Sequence, residues 1–137
     1  MAASDAARVA ELAVQLGYPS TVQDVEHRFG ELAGRDSDAV LVAVDDGILI
    51  GWIHVSRVAS LAASDAALIG GLVVDEGRRS DRIGATLLEA AENWAREHGA
   101  HTMTVASRVT RERAHRFYLR EGYEITKTSH VFAKPLV

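Results

Sequence analysis

The chain has 137 residues, 47% apolar and 25% charged, with a formal net charge of −4. That length suits one domain with a real core, and the acidic balance argues against a nucleic-acid binder, which usually carries a strong basic excess. The chain has no cysteine, which excludes disulfides, thiolate metal ligands and a cysteine nucleophile, and fits a reducing cytoplasm.

No apolar run approaches the ~20 residues of a membrane helix, and the N-terminus lacks an apolar signal core. No repeat or linker interrupts the sequence, so one domain over residues 1–137 is expected. Ser4 or Asp5 can cap a first helix carrying Val9, Leu12, Ala13 and Leu16, stopped by Gly17 and Pro19. Thr21 opens a second helix with Val25, Phe29 and Leu32. Residues 39–44 and 48–55 read as strands joined by an Asp46-Gly47 hairpin turn. Residues 57–65 read as a loop and 66–74 as a third strand, interrupted by Gly70-Gly71. A helix follows over about 82–97, with Ile83, Leu87, Ala91 and Trp94 on one face and Gly99 as its stop. Residues 101–106 read as a strand, 111–121 as a short helix closed by Gly122, and 123–125 and 129–133 as closing strands. Such a mixture predicts an α/β or α+β domain with a mixed sheet.

The segment LVVDEGRRSDRIGATLL (residues 72–88) leads a buried strand through a tight turn into a helix. Unpaired main-chain N–H groups and the positive end of the helix dipole meet there, which makes an anion site. Arg78, Arg79 and Arg82 crowd the first turn, where the dipole alone disfavours cations. The same charges also read as a solvated basic turn, partly neutralised by Asp75, Glu76 and Asp81. Farther on, TRERAHRFYLREGY (residues 110–123) sets Ala114, Phe117, Tyr118 and Glu121 three and four apart on a helix.

These two segments resemble the GNAT superfamily of acyl-CoA N-acyltransferases. Its diphosphate motif runs Gln or Arg, two residues, Gly, one residue, then Gly or Ala, directly after a Val-ending strand. Arg79, Ile83, Gly84 and the following Leu87-Leu88 match it, while Arg82 stands where the first glycine is usual. The family's later helix reads Ala-x-x-Phe-Tyr-x-x-x-Gly-Phe/Tyr, matched by Ala114, Phe117, Tyr118, Gly122 and Tyr123. The tail KTSHVFAKPL (residues 127–136), together with LGYP at 16–19 and IGGLVV at 69–74, is similar to a bacterial subgroup that includes aminoalkylphosphonate N-acetyltransferases.

The resemblance implies a mainly antiparallel central sheet with helices on both faces, splayed between its fourth and fifth strands to admit acetyl-CoA. It implies that Leu72, Val73 and Val74 face the pantetheine arm, with an oxyanion-stabilising N–H near Val73 or Val74. Arg79, Ser80, Asp81, Arg82, Ile83, Gly84 and Ala85 would hold the pyrophosphate, with Arg111 and Ala114 also on the cofactor. Tyr118 would protonate the departing thiolate after a primary amine of a small substrate attacks through a tetrahedral intermediate. Relatives often carry Asn at Arg108 and a glutamate base near Leu68 or Gly71, so no carboxylate base is assigned here. An alternative is a non-catalytic acyl-CoA-binding sensor. Family chains usually begin with a strand, whereas residues 1–4 leave room for little or none. The edge left bare is a pairing liability, so a homodimer or an atypical edge is expected.

Of the remaining candidates, His98 and His101 straddle Gly99 with no third ligand near, so they read as surface histidines and no metal is expected. His54 reads as a half-buried structural histidine, or as a general base if it faces the cleft. His115 reads as surface, Tyr123 as core, and Ser107 carries no nucleophile-elbow signature.

Overall fold

A computed structural model describes residues 1–62 and 65–137, with Arg79, Ser80 and Asp81 described by backbone alone. The chain separates into two compact units, Met1–Ala106 and Ser107–Val137.

The first unit opens with a 3-10 turn, Ala3–Asp5, and no strand. Helix α1 (Ala6–Leu16) follows without a side-chain cap, because the Asp5 carboxylate instead accepts the Ala2 N–H at 2.7 Å. Gly17 ends α1 in the left-handed conformation, φ 93°. Helix α2 (Val22–Leu32) opens at Thr21 as expected and adds a reciprocal cap: the Asp24 N–H donates to Thr21 Oγ1, and the Thr21 N–H to Asp24 Oδ2, each at 3.0 Å.

Strands β1 (Asp38–Asp45) and β2 (Ile48–Val58) are joined by Asp46-Gly47, both with positive φ as a two-residue hairpin turn requires. β2 runs three residues past the expected boundary. Arg57 makes this possible by turning its guanidinium sideways onto the carbonyls of Ala66 (3.0 Å) and His98 (3.1 Å). Strand β3 (Ala66–Val74), helix α3 (Ile83–Glu97) and strand β4 (Thr102–Val105) complete the unit. The sheet order is β1-β2-β3-β4, antiparallel except for the parallel β3–β4 pair, whose crossover is α3.

Two register shifts set which side chains share a face. Val44 opposes Leu49 but Ala43 opposes Gly51, so Ile50 is an extra residue. His54 opposes Gly71 but Val55 opposes Ile69, so Gly70 is another. One face carries Leu49, Trp52 and Val73 against Val9 and Leu12 of α1. The other carries Gly51, Ile53 and Val55 toward α3, where a Cβ on Gly51 would come within 3.1 Å of Leu87 Cδ1. Ile53, Val55 and Leu88 are among the most deeply buried side chains.

The second unit holds helix α4 (Glu112–Arg120), after which Gly122 takes a left-handed φ of 94°. The closing strands expected over 123–125 and 129–133 are not formed. Val131 and Phe132 are each 93% exposed, and β propensity without a ladder partner does not make a strand. Among the described residues, no helix is long and apolar enough to cross a membrane.

Candidate active site

The turn between β3 and α3 is held from below by α1. Arg8, a residue the sequence motifs do not mark, donates from Nε to the Leu49 carbonyl (2.8 Å) and from Nη2 to Asp75 Oδ2 (2.7 Å). It also pairs with Glu11 at 2.8 Å. The Arg8 hydrogen bond holds the Asp75 carboxyl below its usual range. The Asp75 N–H donates to the Ile50 carbonyl (2.8 Å) and the Glu76 N–H to Gln15 Oε1 (3.0 Å). Arg78 is ion-paired with Asp45 on the β1–β2 hairpin.

Residues Glu76–Asp81 form a single 3-10 stretch, followed by Arg82 at φ 59°, ψ 23°. Leu72, Val73 and Val74 end β3 directly before it, and Ser80, Asp81, Arg82, Ile83, Gly84 and Ala85 form the turn and first turn of α3. The Arg79 side chain lies outside the described residues. The exposed Arg82 provides no side-chain cap to α3, and its carbonyl accepts both the N–H and the Oγ1 hydroxyl of Thr86 at 3.1 Å. The N–H groups of Ile83, Gly84 and Ala85 precede the first intrahelical bond and point out of the helix end, as anion binding requires. The parallel register of β3 with β4 runs from Ala66–Thr102 to Ile69–Val105, ahead of the Leu72-Val73-Val74 end of β3.

In the second unit, Arg111, Ala114 and Tyr118 are spaced by three and four residues and fall on one side of α4. Burial pushes the Tyr118 hydroxyl above its ordinary pKa, and the nearby Arg111 guanidinium partly opposes this. The phenol therefore keeps its proton at neutral pH, as a general acid must. Its ring meets Phe117 and Tyr123 edge to face, with centroids 5.1 and 5.7 Å apart. His115 Nε2 donates to the Arg108 carbonyl at 2.8 Å.

A further set of groups sits on the β1–β2–β3 face toward α1 and α2. His54 Nε2 meets Asp38 Oδ1 at 2.9 Å, with side chains 26% and 9% exposed. The Ser37 hydroxyl donates to Asp38 Oδ2, also at 2.9 Å. Asp38 carries no sequence signal: it joins His54 only because the extra Ile50 puts Val40 opposite His54, two residues from Asp38 on the same face. The other two histidines that drew notice have local roles. His98 stacks on Trp94, ring centroids 4.0 Å apart, and hydrogen-bonds its carbonyl, while the His101 N–H donates to the Asp65 carbonyl at 2.8 Å.

Residues 7–123 match the acetyltransferase (GNAT) family. The chain belongs to that family. Membership places it among the acetyl-CoA-dependent N-acetyltransferases, in agreement with the mixed sheet and the strand–turn–helix at its centre. Over 66 residues it is 47% identical to the aminoalkylphosphonate N-acetyltransferase of Salmonella typhimurium, a match spanning 47% of this chain and 41% of that protein. Against the aminoglycoside N(6′)-acetyltransferase type 1 of Stenotrophomonas maltophilia it is 27% identical over 137 residues, covering 97% of this chain and 89% of the other. Its fold is that of the aminoglycoside N-acetyltransferase AAC(6′)-Iy solved with CoA, with a TM-score of 0.86 at 18% identity. That match covers 98% of this acetyltransferase and 91% of the other chain.

Proposed function

We propose that the protein transfers an acetyl group from acetyl-CoA to a primary amine of a small molecule. The observation that carries this is the β3–α3 turn. A Val-ending strand, paired to β4 as far as Ile69–Val105, runs on into a helix whose first turn receives no side-chain cap from Arg82. Those N–H groups, with the backbone of Ser80 and Asp81 and the Arg79 and Arg82 guanidiniums, suit a pyrophosphate. Leu72, Val73 and Val74 suit the pantetheine arm, in the splay between β3 and β4 that the family likeness supports. Arg111 and Ala114 are assigned to the cofactor on the same likeness.

Acetyl-CoA, when bound, supplies an activated acyl carbon with a thiolate leaving group. A main-chain N–H near Val73 or Val74 is assigned to the developing oxyanion, and Tyr118 holds the proton that the thiolate takes up. The outer edge of β1, and the exposed Val131 and Phe132 of the tail, support a homodimer. The cytoplasm is the assigned compartment, a reducing one being in keeping with a chain that has no cysteine.

Calorimetry with acetyl-CoA and a primary-amine panel read by thiol release test this reading. Saturable binding with amine-dependent thiol release supports it. A folded protein that ignores acetyl-CoA overturns it, and one that binds without releasing thiol to any amine is a sensor instead.

A further inference from the structure

His54 lies outside both family motifs, bonded through Nε2 to Asp38 and with Nδ1 turned toward Gly70 of β3. Gly70 and Gly71 leave the face of β3 bare, and rings from β2 fill the space: a Cβ on Gly70 would come within 2.7 Å of His54 Nδ1, and one on Gly71 within 2.9 Å of the Trp52 ring. His54, Trp52 and Gly70 border a cavity of about 200 Å³ whose walls are otherwise mostly apolar, among them Val9, Leu16 and Phe29. The lining includes one arginine, Arg28, which donates to Ser20 Oγ at 2.9 Å. The cavity is smaller than the roughly 300–1,000 Å³ of drug-sized sites.

We infer that this cavity takes the small apolar body of the acceptor amine, and that His54, oriented by Asp38, takes the proton that the amine must lose. The inference rests on reading the chain as an N-acetyltransferase, and names the acceptor class and the base for that reaction. An ionised Asp38 only accepts hydrogen bonds, so the facing Nε2 carries the hydrogen and Nδ1, on the Gly70 side, presents a lone pair. A primary ammonium has no lone pair and cannot attack. It gives one proton to Nδ1, leaving a neutral amine and an imidazolium paired with the Asp38 carboxylate. The nitrogen pair then forms the C–N bond, and the C–S bond breaks with its electrons on sulfur. The second nitrogen proton offsets the one taken up by the thiolate, and His54 releases its proton to water. One ammonium and one thioester thus give one amide, one thiol and one proton.

The test compares benzylamine, protonated at neutral pH, with aniline, which is not and so needs no base before attack. His54→Gln should lower kcat for benzylamine about 100-fold, within the usual range for a positioned base, while aniline turnover stays within about threefold of the parent. Asp38→Asn should show the same amine dependence at smaller amplitude. Gly70→Ala, which pushes a methyl group at Nδ1, should do so with the imidazole intact. Melting temperature and acetyl-CoA affinity of each variant verify the fold. Equal losses on both amines make His54 structural, and no loss removes it from the reaction; either result overturns the inference. Binding is read separately from the His54 imidazole NMR signals during benzylamine titration without acetyl-CoA. A shift abolished by Leu32→Trp, which fills the cavity, supports the placement, and unmoved signals in an active parent overturn it. A parent that shows the shift but acetylates no amine refutes the transferase reading and the base role, leaving an amine-binding cavity.

Discussion

The β3–α3 turn and the β1–β2–β3 face flank the same strand but are built from different materials. The turn presents main-chain N–H groups, fixed by the path of the backbone and by the Arg8–Asp75 and Arg78–Asp45 pairs beneath it. The face presents side chains, His54 and Asp38, that meet only because one extra residue in β2 shifts the register. The difference is one of tolerance. A turn built from main chain tolerates a change of side chain: Arg82 stands where the family motif usually has glycine, and the turn still forms. A site of cross-strand side chains survives few changes, because a one-residue slip sends every second side chain to the other face.

The largest effect expected concerns α4, whose motif, like that of the turn, is contiguous in sequence. Tyr118→Phe removes only the hydroxyl and keeps the edge-to-face ring contacts with Phe117 and Tyr123. Turnover should fall about 100-fold with acetyl-CoA binding retained, the lower range for positioned acid–base groups. The loss should be in kcat, because the proton is needed only as the C–S bond breaks. Turnover at the parent rate on the best amine found would make the hydroxyl structural.

The turn itself is sharpened by Gly84→Val. A branched side chain at the second residue of α3 crowds an anion lying against the first N–H groups, and acetyl-CoA affinity should fall by about tenfold, ~1.4 kcal/mol. Unchanged affinity in a folded variant, read by calorimetry, would take the cofactor away from this turn.

Acid should separate the turn's supports. Asp75 has its folded pKa depressed by the Arg8 hydrogen bond, so its contribution is present above the ordinary carboxylate value near ~4 and lost as pH falls through the folded value. Arg8→Leu should therefore be less stable than the parent at neutral pH, with the gap in denaturation midpoint narrowing as pH falls below the ordinary carboxylate value. A gap independent of pH would mean that Arg8 acts through Leu49 and packing alone.

Much of this architecture is legible residue by residue. Thr21 as a helix start, the Asp46-Gly47 turn, and the apolar stripe of α3 each announce themselves locally, because capping, positive φ and helical period are properties of a few neighbouring residues. The strands expected over 123–125 and 129–133 failed because strand formation depends on a partner that composition does not name. β2 outran its expected end because Arg57, polar in sequence, finds carbonyls from two other segments. Asp38 and Arg8 were invisible for the same reason: each acts on a residue 16 or more positions away. The turn after β3 and helix α4 were readable as elements because each is contiguous in sequence, while the Asp38–His54 pair depends on a bulge that no residue advertises.

The smallest effect bears on the turn's tolerance, and its sign is decided by two opposing terms. Arg82 holds φ 59°, a left-handed conformation that costs a non-glycine residue roughly 1–2 kcal/mol. Glycine adopts it freely but loses more backbone entropy on folding, a cost of roughly 0.5–1 kcal/mol relative to alanine. The Arg82 side chain is exposed and makes no cap, so little else is lost with it. Arg82→Gly should therefore stabilise the protein by up to about 1 kcal/mol, a rise of a few degrees in melting temperature. Acetyl-CoA binding then separates the backbone from the guanidinium. If the main chain carries the anion, the glycine variant should bind at least as tightly at high salt, where the charge is screened, and give up at most a modest part of its affinity at low salt. A lower melting temperature would mean that the arginine stabilises the turn beyond its strain. An affinity loss that persists at high salt would make the guanidinium a direct ligand rather than a substitute that the backbone tolerates.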